Sequence, residues 1–261
     1  MRARWSILWM TFRELRKDRG SWTFLGLSVV WILMTYKFAD FAMFEAERYA
    51  ASFLHAGMVL WGVLWVLMET LALMIREYER KTLWVYLSRP LSRSAYFEGR
   101  FLGFVFFLLL FTLIWVGGGS TLLLLVHRSM AHPYGSPIVL SQEVFRLVSI
   151  GFALILLQAV LFFLLSFFES PLLVVVGGFA VFLVGTVLEE VYRFLLSPTG
   201  QAMFPDFFRR LVDQLEWIWP HFDFLLRTPE HYPIGILGYA LLYTLALVEL
   251  GSLLFERREF S

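Results

Sequence analysis

Side chains able to do chemistry are few in this chain and lie far apart. No cysteine occurs, which excludes disulfides, thiolate metal sites and a cysteine nucleophile. The five histidines (His55, His127, His132, His221 and His231) are scattered, and no H-E-x-x-H pair places two of them for zinc. There is no G-x-x-x-x-G-K-[ST] loop to cradle a nucleotide phosphate. Gly117-Gly118-Gly119-Ser120 has no lysine to reach a phosphate and no strand before it, and its glycines are expected to permit close helix packing. What remains is carboxylates in apolar surroundings. Glu69 and Glu249, with Gln158 as an uncharged companion, fall inside long hydrophobic stretches, where an ionisable group is costly and is a functional candidate by default. A transported cation or proton could use them. Equally, each carboxylate could reach the interface or a partner on a neighbouring helix.

The elements that must hold these residues follow from hydropathy. Of 261 residues, 59% are hydrophobic and only 16% charged, against about 25% charged in ordinary soluble chains. The apolar residues fall in blocks, and the mean hydropathy is +0.70. A helix needs about 20 mainly apolar residues to cross the ~30 Å hydrocarbon layer. Six stretches qualify, near 21–38, 53–75, 101–126, 144–168, 171–187 and 234–255. Runs such as 104–111 lack the alternation of a barrel strand, and helices satisfy their own backbone groups in lipid. The expected fold is all-α, a polytopic membrane protein of six transmembrane helices forming a single domain over 1–261. A net charge of +1 argues against a nucleic-acid partner.

Orientation follows from lysine and arginine outside the spans and at their ends. Fourteen lie on the side that carries the N-terminal segment, the connection between spans 2 and 3 and the C-terminal tail, and eight lie on the other. Such an excess marks the cytoplasmic side, so both termini are expected inside. The basic start is followed by more charge at 13–19 and no small-residue cleavage site, so no cleaved leader is expected. Two segments carry the spacing of interfacial amphipathic helices. In 1–19, Trp5, Leu8, Trp9 and Phe12 share a face from which Arg13, Glu14, Arg16 and Lys17 are largely excluded. In the outer connector 188–233, Phe207, Leu211, Leu215 and Ile218 share a face, with Arg209, Arg210, Asp213 and Glu216 off it. Both segments are expected to lie along the membrane surface.

The cytoplasmic connection 76–100 is dense in charge yet holds Leu83, Trp84, Tyr86 and Leu87. Its helical part can run over 77–87, and Ser88-Arg89-Pro90 ends it, because the residue before proline avoids helical geometry. Aromatic and arginine side chains on a short exposed helix suit docking on a partner protein. This segment resembles the connection between spans 2 and 3 of permease subunits in the ABC-2 (type 2, exporter-like) family of ATP-binding cassette transporters. That connection has the form E-x-E-x-x-T-L-x-x-L-L-S-x-P-x-S-R, and here Glu77, Glu79, Thr82, Leu83, Leu87, Ser88, Pro90, Ser92 and Arg93 match it in order. Lys81 stands where a glycine is common, and Tyr86 where the first leucine of the pair falls. The likeness continues in Gly99-Arg100-Phe101-Leu102-Gly103, in the turn Glu169-Ser170-Pro171 and in the basic tail after the last span.

The resemblance implies a permease that binds no cofactor itself, with ATP and magnesium held by a separate cytoplasmic ABC ATPase subunit. A second permease copy or a homologous permease would complete the membrane part, among membrane lipid and in a prokaryotic plasma (inner) membrane. Residues 77–93 would be the coupling helix, with Thr82, Leu83 and Tyr86 as packing anchors. Closure of the ATPase pair would shift spans 1, 2 and 5. A competing likeness points to an enzyme. Glu189-Glu190-Val191-Tyr192-Arg193 resembles the E-E-x-x-x-R motif of CAAX-type intramembrane proteases, whose glutamate activates a water. Here the arginine comes one residue early, and the histidine motifs F-x-x-x-H and H-x-x-x-N are absent. The acidic pair also reads as the polar end of span 5. A membrane anchor that holds a partner without transport is the third reading.

Overall fold

The computed structural model describes residues 2–42, 45–79, 92–130, 138–197, 203–227 and 233–257. Among them every regular element is helical: α1 (Arg2–Lys17), α2 (Arg19–Phe41), α3 (Ala46–Glu79), α4 (Arg93–Met130), α5 (Leu140–Leu165), α6 (Pro171–Leu196), α7 (Asp206–Ile218), α8 (Phe222–Leu226) and α9 (Pro233–Arg257). Six of these, α2 to α6 and α9, are long and apolar enough to cross a membrane. The protein is a multi-pass helical membrane protein.

Helix α5 is the hub. It packs against α3, α4, α6, α8 and α9, and 78% of its most apolar window is buried, against 28% for α2 and for α9. It can sit there because it is apolar all round, and such a helix belongs inside a bundle. Aromatic rings do much of the joining. Phe97, Phe101 and Phe104 recur on one face of α4 and set their rings edge-on to the single ring of Phe162 on α5, at 5.5, 5.6 and 5.7 Å. Edge-to-face contacts match the positive ring edge to the negative face. Between α2 and α3, the indole of Trp31 stacks on Phe53 at 4.5 Å and donates to its carbonyl at 3.0 Å.

The first helix turns one face into the bundle. Its buried residues are Ile7, Thr11 and Leu15, and they lie against α4. Trp5 and Trp9 face outward instead, 63% and 50% exposed. The reason is backbone proximity. A Cβ added to Gly103 would lie 2.5 Å from the Thr11 Cβ and 3.2 Å from the Leu8 carbonyl, and one on Gly99 would lie 2.8 Å from the Ile7 Cβ. Two glycines four residues apart on α4 thus form the groove that α1 enters, as small residues do between membrane helices. Of the glycine run in the same helix, Gly119 meets Leu54 and Leu147 and Gly118 meets Ile32, while Gly117 faces open space.

The connector between α6 and α9 is partly drawn into the bundle. Helix α7 meets α6 through Val212, near Leu188 and Leu195, whereas Phe207 is 75% exposed. Trp219 then donates to the Val181 carbonyl at 3.1 Å, and α8 turns inward to pack on both α5 and α6. Phe222 is buried with its ring on Phe182 at 5.0 Å. This contact is made about four turns before the end of α6. Gly185 leaves the room for the Pro220 carbonyl.

Replacing Gly103 by valine would force α1 off α4, so we expect a loss of about 1–3 kcal/mol from overpacking, read as a lower unfolding temperature in detergent. Gly117→Ala meets no atom and removes a helix-destabilising glycine, so it is expected to leave that temperature unchanged or raise it.

Candidate functional site

The segment singled out by sequence leaves α3 and enters α4, and the two stems that carry it are well described. Glu77 and Glu79 continue α3 without a break to its end, so the helix reaches beyond the expected span. Thr82, Leu83, Tyr86, Leu87, Ser88 and Pro90 lie outside the described residues. Ser92 and Arg93 open α4 about two turns earlier than hydropathy places the third span. The Ser92 Oγ accepts from the Ala95 amide at 3.3 Å, which is an N-cap. The Arg93 guanidinium donates to the Glu256 carbonyl at 3.5 Å, joining this stem to the end of α9.

Each stem is clamped to the α1–α2 elbow by charge. On the α3 side, Asp18 caps α2, its Oδ2 accepting from the Gly20 amide at 3.0 Å. Its Oδ1 accepts from Arg76 at 3.1 Å, and the same guanidinium lies 3.8 Å from the Oε2 of Glu69. Glu69, only 2% exposed, is therefore buried at the joint between the elbow and the α3 stem. Its Oε2 has no hydrogen-bond partner, so the guanidinium supplies charge rather than a bond.

On the α4 side, Arg100 is 4% exposed. It donates to Glu14, to the Thr11 hydroxyl at 3.2 Å and to the Tyr96 hydroxyl at 3.2 Å. Arg4 adds an ion pair to Glu98 at 2.9 Å, and Ser252 of α9 donates to Glu98 at 3.5 Å. Arg100, counted with the solvated connection on sequence grounds, is thus a buried member of the α1–α4 seam.

The three intramembrane candidates do not converge. Gln158 is fully buried on α5 and donates to the Thr70 hydroxyl at 3.1 Å, while Thr70 donates to the Val66 carbonyl at 2.6 Å. That closed network joins α3 to α5. Thr70 follows Glu69 directly, yet a helix turns successive side chains about 100° apart, so one points into the core and the other to the elbow. Glu249 is on the exposed face of α9.

At the other end of the bundle the structure assembles groups that hydropathy had split between spans and loops. His55 Nε2 stands 3.2 Å from Glu143, and Arg146 donates to the Leu226 carbonyl at 3.2 Å, so α8 is tied to α5. Glu47 takes His127 at 3.0 Å and the Ile138 amide at 3.1 Å. Glu47 and Glu143 fell just outside the expected spans, because a carboxylate ends a hydropathy window. The signal that could have found them is a charge within one or two turns of a span with a histidine across from it.

The acidic pair of α6 is held by arginines. Glu189 pairs with Arg193 on its own helix, and Glu190 takes Arg227 at 2.7 Å. Arg227 also pairs with Asp223 at 2.7 Å. Among the described residues no group of three or more His, Asp or Glu side chains could hold a metal ion. Burial pushes the Asp223 carboxyl up to about 7, a hydrogen bond with Glu189 adds to the rise, and Arg227 opposes it.

No protein-family model matches this sequence, and no curated protein matches it. The reading of the site therefore rests on its residues and their geometry.

Two measurements test this geometry. Arg76→Ala strips the counter-charge from Glu69 and Asp18, and a loss of about 1–3 kcal/mol is expected, the usual cost of a buried polar group left unsatisfied. Adding Glu69→Gln should recover most of it, which a double-mutant cycle of unfolding in detergent would show. For Asp223 the folded carboxyl titrates near 7 and the unfolded one near 3.8. The folded state binds more protons between these values, so stability falls as pH rises from about 4 through about 7 and is level above that. Asp223→Asn should remove this slope, so the variant gains on the parent protein as pH rises in thermal unfolding scans.

Proposed function

We propose that this protein is the membrane-spanning permease subunit of an ABC transporter of the ABC-2 kind, working with a separate cytoplasmic ATPase and a second permease, identical or homologous. The observation that carries the reading is the motif over 77–93, seated between two stems that are each ion-paired to the same elbow. The excess of lysine and arginine on that side supports a cytoplasmic position for it and for both termini, in a prokaryotic inner membrane. ATP and magnesium belong to the ATPase, and this chain supplies the path.

In this reading the ATPase seats the connection between α3 and α4 in a groove. When the ATPase pair closes, the connection moves as a lever, because its two stems are continuous helices of 34 and 38 residues. The Arg76–Asp18 and Arg100–Glu14 clamps transmit that displacement to α1. From there it reaches α2, which buries only 28% of its apolar window and is the freer to shift. Packed interfaces respond by discrete steps rather than continuous bending, so a small tilt at the stems becomes a change of state in the bundle.

Affinity co-purification of the tagged chain from its native membrane in mild detergent tests the proposal. A stoichiometric ATPase is expected by mass spectrometry, and Leu87→Asp should abolish its recovery by placing a charge in an apolar contact. A partner-free protein would sink the permease reading. A partner that is not an ATPase would favour the membrane anchor, and cleavage activity lost in Glu189→Gln would favour the protease.

A further inference from the structure

The outward side of α1 carries an open cleft of about 610 Å³ lined by Ser6, Trp9, Met10, Arg13, Glu14 and Lys17. That volume falls within the roughly 300–1,000 Å³ of small-molecule sites. Its charge is one-sided. Glu14, the acid on the strip, is taken by Arg100, whereas among the described residues neither Arg13 nor Lys17 has an ion-pair partner. Both cations are exposed beside an indole that is half exposed.

An apolar track begins at the same place. The Trp9 ring lies 6.3 Å from Phe106 of α4, and Phe106, Leu110 and Leu113 follow at helical spacing, 46%, 40% and 67% exposed. Leu102 and Leu109 widen the strip. A water-soluble anion would use the cations and ignore the track. An acyl chain alone would use the track and leave two cations unmatched. A molecule with a phosphate at one end and acyl chains at the other uses both, and indole rings prefer the level where these meet.

We infer that the seam of α1 and α4 binds one anionic phospholipid, its headgroup phosphate on Arg13 and Lys17 and an acyl chain along Phe106, Leu110 and Leu113. The bound lipid braces α1 against α4 from outside, as Gly99 and Gly103 do from within. The site depends on the membrane-spanning fold and not on the transporter reading. Loss of the ATPase in co-purification leaves it standing, and its own failure leaves the transporter reading untouched.

The test is native mass spectrometry of the purified full chain in an uncharged detergent, with phosphatidylglycerol and phosphatidylcholine of the same chains offered in equal amounts. One phosphatidylglycerol should be retained in preference. Retention should weaken about thirtyfold in Arg13→Gln/Lys17→Gln, from roughly fivefold per surface cation. Arg13→Lys should keep it, and Arg257→Gln, a cation outside the site, should leave it unchanged. Leu113→Asn should shorten retention with the headgroup contacts intact. Equal retention of phosphatidylcholine would overturn the assignment, as would undiminished binding by the double variant at unchanged helicity. Displacement of the bound species by inorganic phosphate alone would also overturn it, reducing the site to a plain anion site.

Discussion

A hydrocarbon layer offers no hydrogen bonds, so a polar side chain carried into this bundle is costly unless it finds a partner within the protein. That constraint organises the structure. Arg100 draws Glu14 and Thr11 to it, and Gln158 closes on Thr70. Each pair joins helices distant in sequence. Because such partners cannot be exchanged for water, they hold the helices in one arrangement where purely apolar surfaces would slide. The cost of leaving one member alone is what gives these few contacts their weight among many apolar ones.

Shape does the rest. Lipid tails are as apolar as leucine, so helices in a membrane gain little from hiding leucine from them, and close contact matters more. Gly99 and Gly103 let α1 approach α4 until backbone and side chain touch. That approach brings Glu14 within reach of Arg100. The small residues and the ion pair are therefore one device, the first permitting the distance that the second requires. On α5, a single ring, Phe162, receives three rings of α4. The high phenylalanine content is thus partly explained as interlocking contacts and not only as hydropathy.

Polar groups are concentrated at the two ends of the bundle, and the ends differ in design. At the end bearing the elbow, charges cross between elements on either side of the connection from α3 to α4. At the other end Trp219, Phe222 and Arg146 fix α8 between α5 and α6, which closes the bundle with a plug from its own connector.

Hydropathy alone determined that there are six spans, because crossing a bilayer is a property of one segment and its length. It also marked 77–93 as exceptional, since charge interleaved with aromatics is visible residue by residue. It left the inner faces of the helices open. The shared face of Trp5, Leu8, Trp9 and Phe12 was legible in the spacing, whereas the opposite side, on which Ile7 and Thr11 turn in to the bundle, was not. Phe207, read on the apolar face of α7, is exposed, and Val212, which that reading did not name, is buried. The physical reason is that lipid-facing and core-facing residues of a membrane helix are equally apolar, so no periodicity separates them. Only tertiary packing decided which face is inner, and only packing brought Glu14 to Arg100, 86 positions away, because a charge pair depends on distance in space and not on order along the chain.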